Sequence, residues 1–173
     1  MKTNICSFCL KSGILCRNCQ EKLRSGEVTK LDVEVGRNLL ELEEKFPSLQ
    51  RITFHRAYEA NGVLALVVGQ GDLHNFLSQG GRILRELEKP LHKKIRVVEK
   101  GGALRTFLES LFMPAEIISI NKIWIPDGTT ETRVILSDSQ RKLPIDQKSV
   151  KKLAWEIEGI TLRVEFERKR RHR

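Results

Sequence analysis

The residues best suited to chemistry are four cysteines, Cys6, Cys9, Cys16 and Cys19, and the chain has no others. Their spacing, C-x2-C-x6-C-x2-C, sets two knuckles on either side of a short spacer, residues 10–15. Each knuckle can wrap one side of a tetrahedral ion. Four thiolates would close the coordination sphere and leave no position for a reacting water. The pattern therefore predicts one structural Zn(2+), and an iron–sulfur cluster would accept the same four donors. Gly13 lets the spacer turn without a side-chain penalty. Two disulfides would need an oxidising compartment, and the opening MKTNICSFC has no signal-peptide core. A redox C-x-x-C calls for a thioredoxin-like βαβ setting that the surrounding pattern does not supply.

The second stretch with chemical potential is Ser78-Gln79-Gly80-Gly81, which interrupts two helical stripes. A turn with few side chains lets a phosphate backbone approach, and N–H groups at the start of the next helix can meet it. Arg82 and Arg85 lie just beyond. The plain alternative is a helical hairpin turned by two glycines. Nothing in the chain assembles a catalytic set. The four histidines are scattered, the cysteines are committed, and the acidic residues mostly punctuate helix faces. SQGGR lacks the GK[ST] of a nucleotide-binding phosphate loop. Neither an enzyme nor a small-molecule substrate is expected.

The elements that must position these groups follow from periodicity. Residues 31–46 carry Leu31, Val35, Leu39, Leu42 and Phe46 as a helical stripe, which Pro47 and Ser48 stop. Residues 51–58 read as a half-buried strand, Asn61-Gly62 as a hairpin turn, and residues 63–68 as the returning strand. Leu73, Phe76 and Leu77 mark a short helix before the glycine loop. Ile83, Leu84, Leu87 and Leu91 mark a second helix after it, and residues 94–99 a closing strand. Gly101-Gly102 reads as a joint. Beyond it come a helix over residues 104–111, a strand over 116–125, a turn at 126–129 and a strand over 132–136. A helix from Asp146 to Ile157 follows, with Asp146 as its N-cap and Gly159 as its stop, then a strand over 161–166. The second half repeats the plan of the first without its helical hairpin. Trp124, Tyr58 and Trp155 are expected in cores, with base stacking as the other use of such rings.

Composition agrees with a soluble α+β protein. The chain has 173 residues, 40% hydrophobic and 31% charged, and a formal net charge of +9 from 31 Lys+Arg against 22 Asp+Glu. No apolar run reaches the roughly 20 residues of a membrane span, so a cytoplasmic protein is expected. The basic balance favours nucleic acid or a ribonucleoprotein surface. Arg168, Lys169, Arg170, Arg171 and Arg173 make the last six residues a basic tail suited to phosphate contact. Lys11, Arg17, Lys22 and Arg24 could touch nucleic acid from the cysteine segment. Ile5, Phe8, Leu10, Ile14, Leu15 and Leu23 could dock that segment onto the next domain.

The stretch GDLHNFLSQGGRILRELEKPLHKKIRVVE resembles the GDIGxxIGKGGxNIxxLexxLGKKIxVVE pattern of archaeal NusA-like transcription factors, which are tandem KH-domain proteins. PAEIISINKIWIPDGTTETRVIL resembles the portion that follows in the same arrangement. The likeness covers most of residues 50–166. It implies a first type II KH-like domain over 26–100 and a second, degenerate one over 101–167. The four-cysteine segment over 1–25, which resembles a small zinc ribbon or treble-clef-like finger, is additional to that arrangement, and a basic tail occupies 168–173. A KH loop of the GxxG kind clamps single-stranded nucleic acid. By position Ser78, Gln79, Gly80 and Gly81 match the family's GKGG, Asp72 matches the acidic residue before the leading helix, and Arg82 and Arg85 match the helix behind the loop. Ser78 stands where the pattern has glycine and Gln79 where it has a cation. LSDSQRKLPIDQKS replaces the helical hairpin in the second copy, where Arg141 and Lys142 could keep phosphate contact.

The resemblance implies a non-enzymatic RNA-binding protein acting in transcription elongation or termination, with RNA polymerase as a partner. A ribosome-associated or ribosome-biogenesis protein on ribosomal RNA, with a ribosomal subunit as partner, is an alternative. A protein adaptor with degenerate KH domains is another.

Overall fold

The computed structural model describes residues 1–137 and 145–167, with Gln79 by its backbone alone. The chain divides into two compact units, Met1–Gly102 and Ala103–Arg173. Among the described residues no helix is long and apolar enough to cross a membrane.

The first unit is built on a four-stranded sheet in the order β1-β2-β3-β4 (Lys2–Thr3, Thr53–Ala60, Val63–Val68 and Lys94–Glu99). β2 and β3 are antiparallel around Asn61-Gly62, both with positive φ, as a tight hairpin turn requires. β3 and β4 are parallel, so the chain must cross over between them. It does so through α4 (Leu73–Leu77), a single 3-10 turn (Ser78–Gly81) and α5 (Arg82–Leu91). All six residues of β3 are buried, which explains why VLALVV is apolar throughout where a half-buried strand would alternate. Leu64, Leu66 and Val68, with Ile95 and Val97 of β4, share one core cluster with Val35 and Leu39 of α3 (Lys30–Leu42), Phe76 of α4, and Ile83 and Leu87 of α5.

α3 is shorter than its apolar stripe suggests. The helix ends at Leu42, and a turn closed by the Phe46 N–H on the Leu42 carbonyl (2.8 Å) leads into a 3-10 segment at Pro47–Arg51. Phe46, Leu49 and Ile52 still reach the core, now from irregular chain. The start of α3 is fixed by a reciprocal cap. Thr29 Oγ1 accepts the Asp32 N–H (3.1 Å), and Asp32 Oδ2 accepts the Thr29 N–H (2.7 Å). The other oxygen, Oδ1, accepts the buried Ala57 N–H at 2.6 Å and so ties α3 to β2. Asp32→Ala would break the cap and strand that N–H, a loss of about 2–4 kcal/mol from the cap and the unsatisfied donor together. Urea unfolding of the variant checks this, and Asp32→Asn, which keeps one acceptor, should lose less.

The second unit repeats the wiring. α6 (Leu104–Phe112) leads to β5 (Ile117–Trp124) and β6 (Thr130–Leu136), which are antiparallel, and α7 (Gln147–Glu158) precedes β7 (Leu162–Phe166), which is parallel to β6. The sheet order is β5-β6-β7. Phe107, Leu108 and Leu111 of α6, Val134 and Leu136 of β6, and Val150, Leu153 and Ala154 of α7 are buried. Gly159, with φ +66, ends α7 in the left-handed conformation, while Asp146 takes the N-cap position without a side-chain cap bond. Both tryptophans depart from the core placement expected of them: Trp124 is 75% exposed and Trp155 60%. Trp124 is the last residue of an edge strand, and Trp155 lies well off the face that carries Val150, Leu153 and Ala154.

Candidate functional site

The cysteine segment does not form a ribbon of strands. Each knuckle opens a short helix, α1 (Ser7–Ser12) and α2 (Arg17–Ser25). Cys6 and Cys16 are the N-caps, both extended, and Cys9 and Cys19 follow three residues on, inside the first turn. One helical turn returns the second sulfur of each pair toward the first. Gly13 and Gly26 end the helices with φ +75 and +77, so the expected spacer turn at Gly13 is a helix cap.

The four sulfurs lie within 4.8 Å of one another, Cys6 and Cys9 at 3.1 Å, and all four cysteines are free of disulfides. A tetrahedral ion with metal–sulfur lengths of about 2.3 Å sets sulfurs about 3.8 Å apart, a spacing this cluster brackets. The donor set therefore fits one metal ion. The thiols polarise one another unequally. Cys16 is drawn down to about 7, first by the Cys19 backbone N–H and then by a hydrogen bond with the Cys9 thiol. Cys9 is pulled down by the Cys16 N–H, but Cys6 beside it and burial outweigh that and push it up to about 12. A shared cation would replace this competition by taking all four as thiolates.

The cluster is seated on the first unit. Cys9 and Cys19 are buried with Ile5, Leu10 and Val28, and Leu15, Val33 and Leu40 pack at the margin. A Cβ added at Gly36 of α3 would come 3.1 Å from Leu10 Cδ2, so α1 sits close against that helix. Of the apolar residues expected to dock the segment, Phe8 and Ile14 do not: they are 68% and 73% exposed. Lys22 donates to the Asn4 carbonyl (2.9 Å) and pairs with Glu27, whereas Arg17 is exposed beside Glu21.

The glycine loop stands at the head of α5. Gly80 and Gly81 have φ +65 and +72, a conformation that side chains resist, and a Cβ on either would meet nothing within 4 Å. The backbone here is therefore left-handed and open to solvent. Ser78, by contrast, has φ −55, so nothing in its backbone calls for glycine. Its hydroxyl turns back to donate to the Asn75 carbonyl of α4 at 2.7 Å. The Ser78 side chain is thus spent inside the hairpin. Arg85 donates to the Gly80 carbonyl (2.8 Å) and braces the loop, while Arg82 is exposed. Lys89 by hydrogen bond, with Lys45 and Arg82 by charge, holds the Glu86 carboxyl of α5 below its ordinary value.

Two acidic residues position the hairpin. Asp72 Oδ2 accepts the Thr53 N–H at 2.8 Å, fixing the start of α4 to β2. Glu99, at the end of β4, accepts the N–H groups of Gly71 and Leu73, both at 3.0 Å. Reading the sequence misses Glu99 because a terminal strand carboxylate has the look of a solvated charge. A Cβ on Gly69 would lie 2.6 Å from Asp72 Oδ2 and 3.1 Å from Thr53 Cβ. Gly69→Ala would push Asp72 off the Thr53 N–H and cost about 1–3 kcal/mol. Hydrogen exchange should then quicken at Thr53 and through α4, which checks it. His74 donates from Nδ1 to the Gly71 carbonyl (2.6 Å) and stays at the surface. His55 is half-buried on β2, lowered chiefly by burial and then by Lys100.

The remaining predicted contacts, Arg141, Lys142, Arg168, Lys169, Arg170, Arg171 and Arg173, lie outside the described residues.

No protein-family model matches the chain, and no curated protein matches it. Among solved structures, the crystal structure of APE1850 is similar, with a TM-score of 0.51 and 22% identity over 78% of this chain and 99% of that one. At that identity the likeness is one of fold.

Proposed function

We propose that residues 26–100 form a type II KH-like domain that holds single-stranded RNA at Ser78–Gly81, with Arg82 and Arg85 behind it. On this reading residues 101–167 are a degenerate second copy, and the four cysteines hold one structural Zn(2+) that folds the N-terminal segment. The protein is then a non-enzymatic, NusA-like factor in transcription elongation or termination. The observation that carries it is the pair Gly80 and Gly81, left-handed, unobstructed and placed immediately before the first turn of α5. Backbone N–H groups and the positive end of the helix dipole favour a phosphate there. The helix-strand-strand-helix-helix-strand order from α3 to β4, with β3 parallel to β4, is the order expected of a type II KH domain and supports the same reading. So does the net charge of +9.

Affinity capture of the tagged chain from its own cells tests the role. RNA polymerase subunits with bound RNA are the expected catch. A ribosomal subunit would move the function to ribosomal RNA, and protein partners with no RNA would reject RNA binding.

A further inference from the structure

We infer that the outer face of α7 is a second contact surface for single-stranded nucleic acid, in which Trp155 stacks on a base while Lys148 and Lys151 meet the phosphates on either side of it. These residues fall at i, i+3 and i+7 and therefore share one face of the helix, away from the buried Val150, Leu153 and Ala154. All three are exposed, Trp155 by 60%. Lys152, at the edge of the same face, pairs with Glu156 at 3.8 Å, whereas Lys148 and Lys151 have no ion-pair partner among the described residues.

The occupant follows from what surrounds the indole. A helix that docks on protein shows an apolar row, several side chains at i, i+3, i+4 and i+7. Here the indole has lysines at i−4, i−7 and i−3, one carboxylate, Glu158, at i+3, and no apolar neighbour on its own face, so cations outnumber acids around it. One π-face flanked by ammonium groups suits a base with its phosphates, a combination that tolerates any sequence. Keeping a tryptophan in water also forgoes the burial that such a large side chain normally gains. The surface lies on the second unit and does not depend on the loop of the first.

The test uses the full chain carrying Trp124→Phe, so that Trp155 is the remaining tryptophan. A 12-nucleotide oligouridylate and the matching oligodeoxythymidylate are titrated at low salt while Trp155 emission is read. The expected result is quenching that saturates with binding. RNA alone, or both oligomers, would tell which backbone the surface accepts. In the chain with both tryptophans, Trp155→Ala should lose about 5- to 150-fold in affinity. Lys148→Glu with Lys151→Glu should lower the salt slope by about 1.4. The truncation removes an exposed ring, and an unchanged circular dichroism spectrum would verify folding. Trp155 emission unmoved by oligomers that bind, with Gly80→Asp/Gly81→Asp still weakening them, would overturn this surface and leave the loop reading intact. No binding of either oligomer, or quenching by polyglutamate in their place, would also overturn it.

Discussion

Replacing Cys9 and Cys19 with serine is expected to empty the cysteine site and melt the N-terminal segment. Metal analysis should fall from one ion per chain to none. The two sulfurs are buried among Ile5, Leu10 and Val28, so the variant loses ion and packing together. Apparent binding free energies of about 10–16 kcal/mol for structural zinc in small domains set the upper scale. α1 and α2 span six and nine residues, too short to persist as helices without tertiary support. A loss of at least ~3 kcal/mol for the first unit is expected, which is roughly 12 °C or more in its melting temperature. Chelation should reproduce the shift in the unaltered chain and leave the variant unmoved. Full metal content with an unchanged melt would contradict the site.

The second large effect is expected at the loop. Gly80→Asp with Gly81→Asp should weaken single-stranded RNA binding by about 10- to 100-fold, the size of one lost hydrogen bond to a charged group. The positions are open, so no side chain is displaced, and the folding cost is the left-handed backbone alone, about 1–2 kcal/mol at each. Gly80→Asn with Gly81→Asn isolates the charge. It has the same shape and similar tolerance of positive φ, and it should retain more of the affinity. Equal losses for Asp and Asn would assign the effect to backbone geometry, and no loss for either would remove the loop from the binding site.

What could be read in the residues was what local chemistry dictates. The cysteine spacing implies a cluster, and the sulfurs do converge. The glycine pair implies a side-chain-free turn, and both glycines take positive φ. The alternating and helical stripes located the elements of both units to within a few residues. Other features depend on groups far apart in the chain. α1 and α2 are too short for their apolar spacing to stand out in the sequence; each begins at a knuckle's first cysteine, in the N-cap position, and carries the second cysteine in its first turn. Two residues, Lys2 and Thr3, are too few to show a strand pattern, yet they pair with β2. Asp32 and Glu99 look like ordinary surface carboxylates in sequence, and the motif match at Asp72 does not say what its carboxylate holds. Each is instead the acceptor that ties one element to another. The tryptophans failed in the opposite direction: their hydrophobicity argued for a core, and their places at a strand end and on an outer helical face put them in water.

The most direct measurement is photocrosslinking of the full chain to a short single-stranded RNA, with the modified peptides mapped by mass spectrometry. Adducts are expected within residues 78–85 and should be lost in the Gly80→Asp/Gly81→Asp variant. RNA that binds and crosslinks elsewhere, with none in 78–85, would contradict binding at the loop.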